Sequence, residues 1–299
     1  MPVIEDAAFI AEAETAMAAG QLYRLVDPCA APERQLSAET LGKAGVIKNP
    51  LLAQTPAQCL YLWPLARKIT PALDLEDELA EEKAKRPESL LEPAPFCGWI
   101  FTQQARSTVA TYISRQLAQT TAENRRALLR FYDPRVMSQL PRILQPSQLS
   151  ALLGPIDRWV YLDRHGRLRC IEPHDDRRHL GSLKLTTDQW QAIQRIGQIN
   201  RCLELCRSLP EPDRPAGVNA MRIDALIVAA QVHGLHERTA VTAFVLHGLT
   251  IHETFYQHPI MQRLLRSRGE DRPGYIELTN RLSERDWETI TNDEGDIVT

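Results

Sequence analysis

The side chains of this 299-residue chain whose types and spacing could do chemistry fall into a few short stretches. His252-Glu253-Thr254-Phe255-Tyr256 opens like the zinc-protease pattern, in which two histidines one helical turn apart share the metal and the glutamate acts as base. Tyr256 stands where the second histidine is needed, and His258 is about 120° out of register with His252 on a helix that Pro259 would break. No metal site is expected there. His233 and His236 straddle Gly234, a spacing that suits a helix end better than a ligand pair. Cys202 and Cys206 are one turn apart, but Leu203 and Leu205 beside them point to a packed helix face with inert thiols. The patterns GxGxxG, GxxxxGK[ST] and GxSxG are absent from the sequence, so the common phosphate cradles and the nucleophile elbow are missing. The reading assigns no catalytic residue, no metal and no cofactor.

Two stretches invite recognition rather than catalysis. Arg158, Arg164, Arg167 and Arg169, followed by Arg177 and Arg178, make a local basic patch. It reads as a charged strand edge or as a docking patch for an acidic segment of another protein. The second stretch is Arg130-Phe131-Tyr132-Asp133-Pro134-Arg135-Val136, an aromatic pair at a strand end followed by an Asp that can cap a helix. An ion pair from Asp133 to Arg130 or Arg135 would hold this junction, and contact with a partner is the other role open to it.

The elements that must position these residues follow from apolar periodicity and from proline. Strands are expected at Leu22–Val26, at Cys59–Trp63 ending before Pro64, at Gly98–Phe101, and at Ala127–Tyr132. Val109, Ile113 and Leu117 recur at helical spacing between the last two. Asp74 to Glu88, dense in charge, reads as a solvated helix or loop on the rim. Short helices are expected at Arg135–Leu140, stopped by Pro141, and at Ser147–Leu153, ended by Gly154-Pro155. A hairpin pairs Arg158–Leu162 with Arg167–Ile171 around Asp163-Arg164-His165-Gly166. From Leu185 the period becomes 3.6. Thr186 and Gln189 have capping-box spacing, and helices follow to about Ser208, over Ala220–Leu235, over Glu237–Phe255 and near Ser283–Thr289. The fold class is therefore α+β or α/β: a mixed lobe with a small sheet and hairpin over residues 1–180, and an all-helical lobe over 181–299.

Composition narrows the function classes. The chain is 43% hydrophobic and 24% charged with 14 glycines, ordinary values for a protein with a packed core. A formal charge of -3 supplies no basic field for nucleic acid. Glu5, Asp6, Glu12 and Glu14 stand where an export signal needs positive charge, and no apolar run is long enough for a membrane span. The six cysteines show no CxxC spacing. Reduced thiols, a cytoplasmic location, no nucleic acid and no membrane are expected.

The RFYDPRV string, with Leu152-Leu153-Gly154-Pro155-Ile156 about twenty residues on and Trp159 following, resembles the signature of the type VI secretion effector adaptor, or effector chaperone, family. Its N-terminal domain has been catalogued as a domain of unknown function. The resemblance runs back through Gly98-Trp99-Ile100-Phe101 to Leu22-Tyr23-Arg24-Leu25-Val26-Asp27, covering roughly residues 20 to 165. It departs at Pro28-Cys29, where a small-residue step is usual. The resemblance implies a cytoplasmic, non-enzymatic adaptor whose partners are a toxic effector and the VgrG spike protein on which the effector is loaded. Arg130, Phe131, Tyr132, Asp133, Pro134, Arg135, Gly154 and Pro155 are its motif residues. The rival readings are a metal- or histidine-dependent hydrolase using the C-terminal histidines, and a nucleic-acid-binding regulator using the arginine-rich hairpin.

Overall fold

The computed structural model describes residues 3–30, 44–49, 51–52, 55, 58–66, 73–121, 124–174, 181–211, 214–267 and 273–292. The chain divides into two compact units, residues 1–193 and 194–299.

The first unit is built on a seven-stranded antiparallel sheet. Its strands are β1 (Val3–Ile4), β2 (Leu22–Val26), β3 (Gly45–Ile47), β4 (Leu60–Leu65), β5 (Phe96–Phe101), β8 (Arg158–Leu162) and β9 (Leu168–Ile171), in the order β1-β9-β8-β5-β2-β4-β3. A separate two-stranded ribbon joins β6 (Ala118–Thr120) to β7 (Arg126–Leu128). Alternation along the strands sends side chains to two cores, as a pleated sheet covered on both faces requires. On one face Leu22, Leu65, Trp99, Val160 and Leu168 meet Phe9, Ala13 and Met17 of α1 (Asp6–Ala19) and Leu75 and Leu79 of α2 (Leu75–Ala84). On the other, Tyr23, Leu25, Leu62, Ile100, Trp159 and Tyr161 meet Val109, Ile113 and Leu117 of α3 (Arg106–Leu117). Also in that second core are residues of α4 (Pro134–Met137), α5 (Leu140–Ile143) and α6 (Pro146–Leu153). With every strand pair antiparallel, the class is α+β.

Four expectations need correction. Pro64 lies inside β4, opposite Tyr23 of β2, rather than ending the strand. Among the described residues its other neighbour, β3, pairs with β4 only from Leu60 to Leu62. The expected fourth strand is extended only over Arg126–Leu128 and belongs to the ribbon, not the main sheet. Beyond it the chain turns so that Phe131 and Tyr132 are both buried. Pro141 does not stop a helix: it sits in the first turn of α5, where its missing N–H costs nothing. Finally, α2 is no rim element. Asp74 caps it through the N–H groups of Glu76 and Asp77, and Glu78 and Glu82 are buried facing Arg24 of β2, with Arg24 Nη2 3.0 Å from Glu82 and Trp99 Nε1 3.2 Å from Glu78.

After the hairpin the described residues form the helices α7 (Thr187–Ser208), α8 (Ala220–Val232), α9 (Arg238–Thr250), α10 (Pro259–Arg266), α11 (Tyr275–Thr279) and α12 (Glu284–Asn292), with a 3-10 turn at Phe255–Gln257. The capping box opens α7, with Gln189 N–H donating to Thr186 Oγ1 and Thr186 N–H to Gln189 Oε1. The division between the units falls inside this helix; Trp190 and Ile193 still pack on the first unit's core. In the second unit Phe244, Phe255 and Tyr275 form an aromatic core.

His247 of α9 sits in that core, with Nδ1 2.8 Å from the Tyr275 hydroxyl and its ring 4.9 Å from Trp287. Burial lowers its pKa to about 4, so the folded unit holds it neutral where the unfolded chain would protonate it. This stabilisation is complete above pH 6.5 and is lost as pH falls toward 4, at most about 3 kcal/mol. Urea unfolding followed by fluorescence of Trp287, the one tryptophan after residue 190, should give a midpoint that falls across this window. In His247→Leu it should stay flat; an equal slope there would refute the assignment.

Candidate functional site

The RFYDPRV stretch forms a buried junction between the ribbon and the main sheet. Leu129 N–H donates to Leu117 O, closing the ribbon against the end of α3, and Asp133 N–H donates to Arg130 O to make the turn. Phe131 packs edge-on against Trp159 of β8, with centroids 5.7 Å apart. Trp159 Nε1 in turn donates to Cys97 O. That contact needs Gly98: its φ is +136°, and a Cβ there would lie 2.6 Å from Trp159 Nε1 and 2.6 Å from Val160 O.

Asp133 takes the place its sequence position suggested. It caps α4 by accepting from Arg135 N–H at 2.9 Å. Of the two arginines able to pair with it, the structure uses Arg135, whose guanidinium reaches both carboxylate oxygens, with Nη2 at 2.6 Å. Arg135 also donates to Leu90 O, tying in the loop before β5. Pro134 occupies the first turn of α4. Arg130 is the one exposed residue of the seven.

Asp27, at the end of β2, joins this junction, a role its sequence position gave no sign of. Its N–H donates to Pro95 O and its carboxylate accepts from Cys29 N–H at 2.9 Å. Burial pushes its pKa up, outweighing the Cys29 N–H, Arg130 and Tyr132. Burial likewise raises that of the Tyr132 phenol, helped by the Asp27 charge. A raised folded-state pKa means the folded form holds the proton longer. Asp27 therefore costs stability as pH rises from 3.8 through its folded value. Asp27→Asn, which keeps the acceptor for Cys29, should remove that loss when unfolding is measured across the window; an unchanged profile would refute it.

The second motif holds the far end of the same core. Gly154 ends α6 at φ +55° against the Tyr112 ring. The Tyr112 hydroxyl donates to Ala151 O and lies 3.0 Å from Gly181 O, and Thr102 Oγ1 donates to Pro155 O at 2.7 Å. Both motifs thus converge on one core through Phe131, Tyr132, Leu153, Ile156 and Trp159.

The hairpin forms at the expected residues, with Gly166 at φ +71° in the turn. Its arginines take different partners. Arg158 pairs with Glu12 of α1 and with Glu172, while Arg167 and Arg169 share Asp163. Arg164 lies against His165. Arg177 and Arg178 lie outside the described residues. The structure adds Arg86, whose Nη1 donates to Arg164 O at 2.7 Å from 78 residues away, a contact with no local signal in the sequence.

His233, His252 and His258 are engaged within the unit, and His236 is exposed. His252 Nε2 is 3.0 Å from Ile290 O and its Nδ1 3.2 Å from Thr254 Oγ1, while His258 Nδ1 accepts from Ile260 N–H. His233 ends α8 beside Tyr256. Cys202 and Cys206 are buried, and burial pushes the Cys202 thiol up to about 12. Among the described residues no helix is long and apolar enough to cross a membrane.

No curated protein and no solved structure matches this chain. A family model does, over residues 22–151, from β2 into α6; it includes RFYDPRV and stops short of Gly154 and Trp159. Residues 22–151 thus match the family described as Domain of unknown function (DUF4123), a domain associated with type VI secretion effector adaptors.

Proposed function

We propose that the protein is a non-enzymatic, cytoplasmic adaptor that binds a type VI secretion effector and helps load it on the VgrG spike. The observation that carries this reading is the family match over residues 22–151, with RFYDPRV inside it. The role of that motif is physical: it welds the ribbon, α4 and β8 into one core, and a rigid platform presents a recognition surface at lower entropic cost than a loose one. The helical unit supplies cargo specificity, and the unit bearing the motif supplies the common platform.

Affinity purification of the tagged full-length protein from its native host, with mass spectrometry of what is retained, tests the reading. A large toxin-like protein recovered together with a VgrG spike is the expected result. Recovery of neither, from cells shown to make both, would overturn it. Exchanging helical units between two such adaptors should carry cargo choice with the unit.

A further inference from the structure

The tip of the β8–β9 hairpin gathers more cationic groups than its own carboxylate neutralises. Asp163 accepts from Arg167 Nε at 3.1 Å and from Arg169 Nε at 2.9 Å, so one carboxylate serves two guanidiniums. Arg164 is exposed and donates to the His165 ring at 2.8 Å. Arg86 approaches from the loop after α2 and donates to two carbonyls, Arg164 O and Pro87 O; its Nε is buried without a hydrogen-bond partner among the described residues. Among the described residues Arg86 and Arg164 pair with no carboxylate, while Arg167 shares Asp163 with Arg169. His165 adds no charge at neutral pH. Burial and then Arg164 hold its pKa below the usual histidine value, with Arg167 and Arg86 acting the same way against Asp163.

The cluster is also held in place. Asp163 accepts from the N–H groups of His165 and Arg167, closing the turn, and Arg86 ties the tip to the body of the unit. Positioned guanidinium forks match carboxylates two oxygens at a time.

We propose that this tip, formed by Arg86, Arg164, Arg167 and Arg169, docks an acidic segment of a partner protein. The inference rests on the adaptor reading in taking the partner to be a protein. Charge favours that choice: the chain as a whole is at -3, and a single cationic tip on an acidic protein suits a short run of carboxylates. Nucleic acid takes many phosphate contacts spread along a basic face.

The test uses the full chain and a short fluorescent peptide of alternating glutamate and serine, read by anisotropy at low and high salt. The peptide should bind, weaken with salt, and shift the His165 ring resonances. Arg164→Glu should weaken binding about tenfold or more while leaving the turn, which Asp163 closes through backbone N–H groups, intact. Arg86→Ala should weaken it in the same direction, and Arg126→Glu on the distant ribbon should not. Unchanged affinity in both Arg164→Glu and Arg86→Ala would overturn the proposal, as would tighter binding of a DNA duplex of matched charge. Partners captured from the host equally by wild type and Arg164→Glu would refute this surface and leave the adaptor reading standing. Peptide binding lost on Arg164→Glu in a protein that captures no host partner would do the reverse.

Discussion

Gly154→Ala should lower the unfolding free energy of the sheet-bearing unit by about 4 kcal/mol, combining backbone strain with overpacking. Gly154 ends α6 at φ +55° and ψ -104°, a conformation that side-chain-bearing residues rarely adopt. An added Cβ would lie 2.2 Å from Tyr112 Cζ, well inside contact distance. The tyrosine has little room to move: it is buried, and its hydroxyl is held at Ala151 O and Gly181 O. Gly20→Ala provides the comparison. Gly20 has φ +71° with nothing within 4 Å of the new methyl, so it carries the backbone cost alone, about 1 kcal/mol. Urea unfolding of both variants separates the two contributions. A difference between them below about 1 kcal/mol would mean the Tyr112 contact relaxes without cost.

Asp133→Ala should cost about 3 kcal/mol, the second largest effect, because two interactions end together and a charge is left unpaired. The cap on Arg135 N–H is lost, the two-oxygen grip on the guanidinium is lost, and Arg135, itself largely buried, is left without its counter-charge. Asp133→Asn keeps a side-chain oxygen for the cap and should cost about half as much. A double-mutant cycle with Arg135→Met isolates the pair: the two changes together should cost clearly less than the sum of the singles. Additive losses would show that the ion pair contributes nothing beyond the cap.

These two sites also show how structural the motif is. Six of the seven residues of RFYDPRV are at least partly buried, and the solvent-facing one, Arg130, stands near Asp27. A partner that contacted this region would meet the surface the junction supports more than the motif itself. Loss of cargo binding in motif variants must therefore be separated from loss of fold before the motif is assigned a contact role.

The local features of the chain were legible in its sequence. The Asp163–Gly166 turn, the Thr186–Gln189 capping box, the Asp133 cap, the helix over Arg106–Leu117 and the end of α6 at Gly154 each depend on residues within a turn or two of one another. Backbone conformation and short-range hydrogen bonds decide them wherever the segment sits. The family resemblance in RFYDPRV was legible for the same reason, as a contiguous string.

Tertiary structure decided what depends on neighbours distant in sequence. Pro64 lies inside β4, opposite Tyr23 of β2, a placement that only the pairing of distant strands decides. The acidic helix α2 turns Glu78 and Glu82 inward because Arg24 waits on β2. After Leu128 the chain leaves its extended course and buries Phe131 and Tyr132, Phe131 against Trp159 of β8, a neighbour 28 residues away. Asp133 could have paired with either arginine on spacing alone; packing of α4 gave it Arg135. The basic hairpin was visible as composition, but the neutralisation of Arg158 depended on Glu12 and Glu172, and the extra cation at the tip on Arg86, all outside it. Burial and charge pairing are properties of the assembled layers, and no local pattern encodes which distant residue completes them.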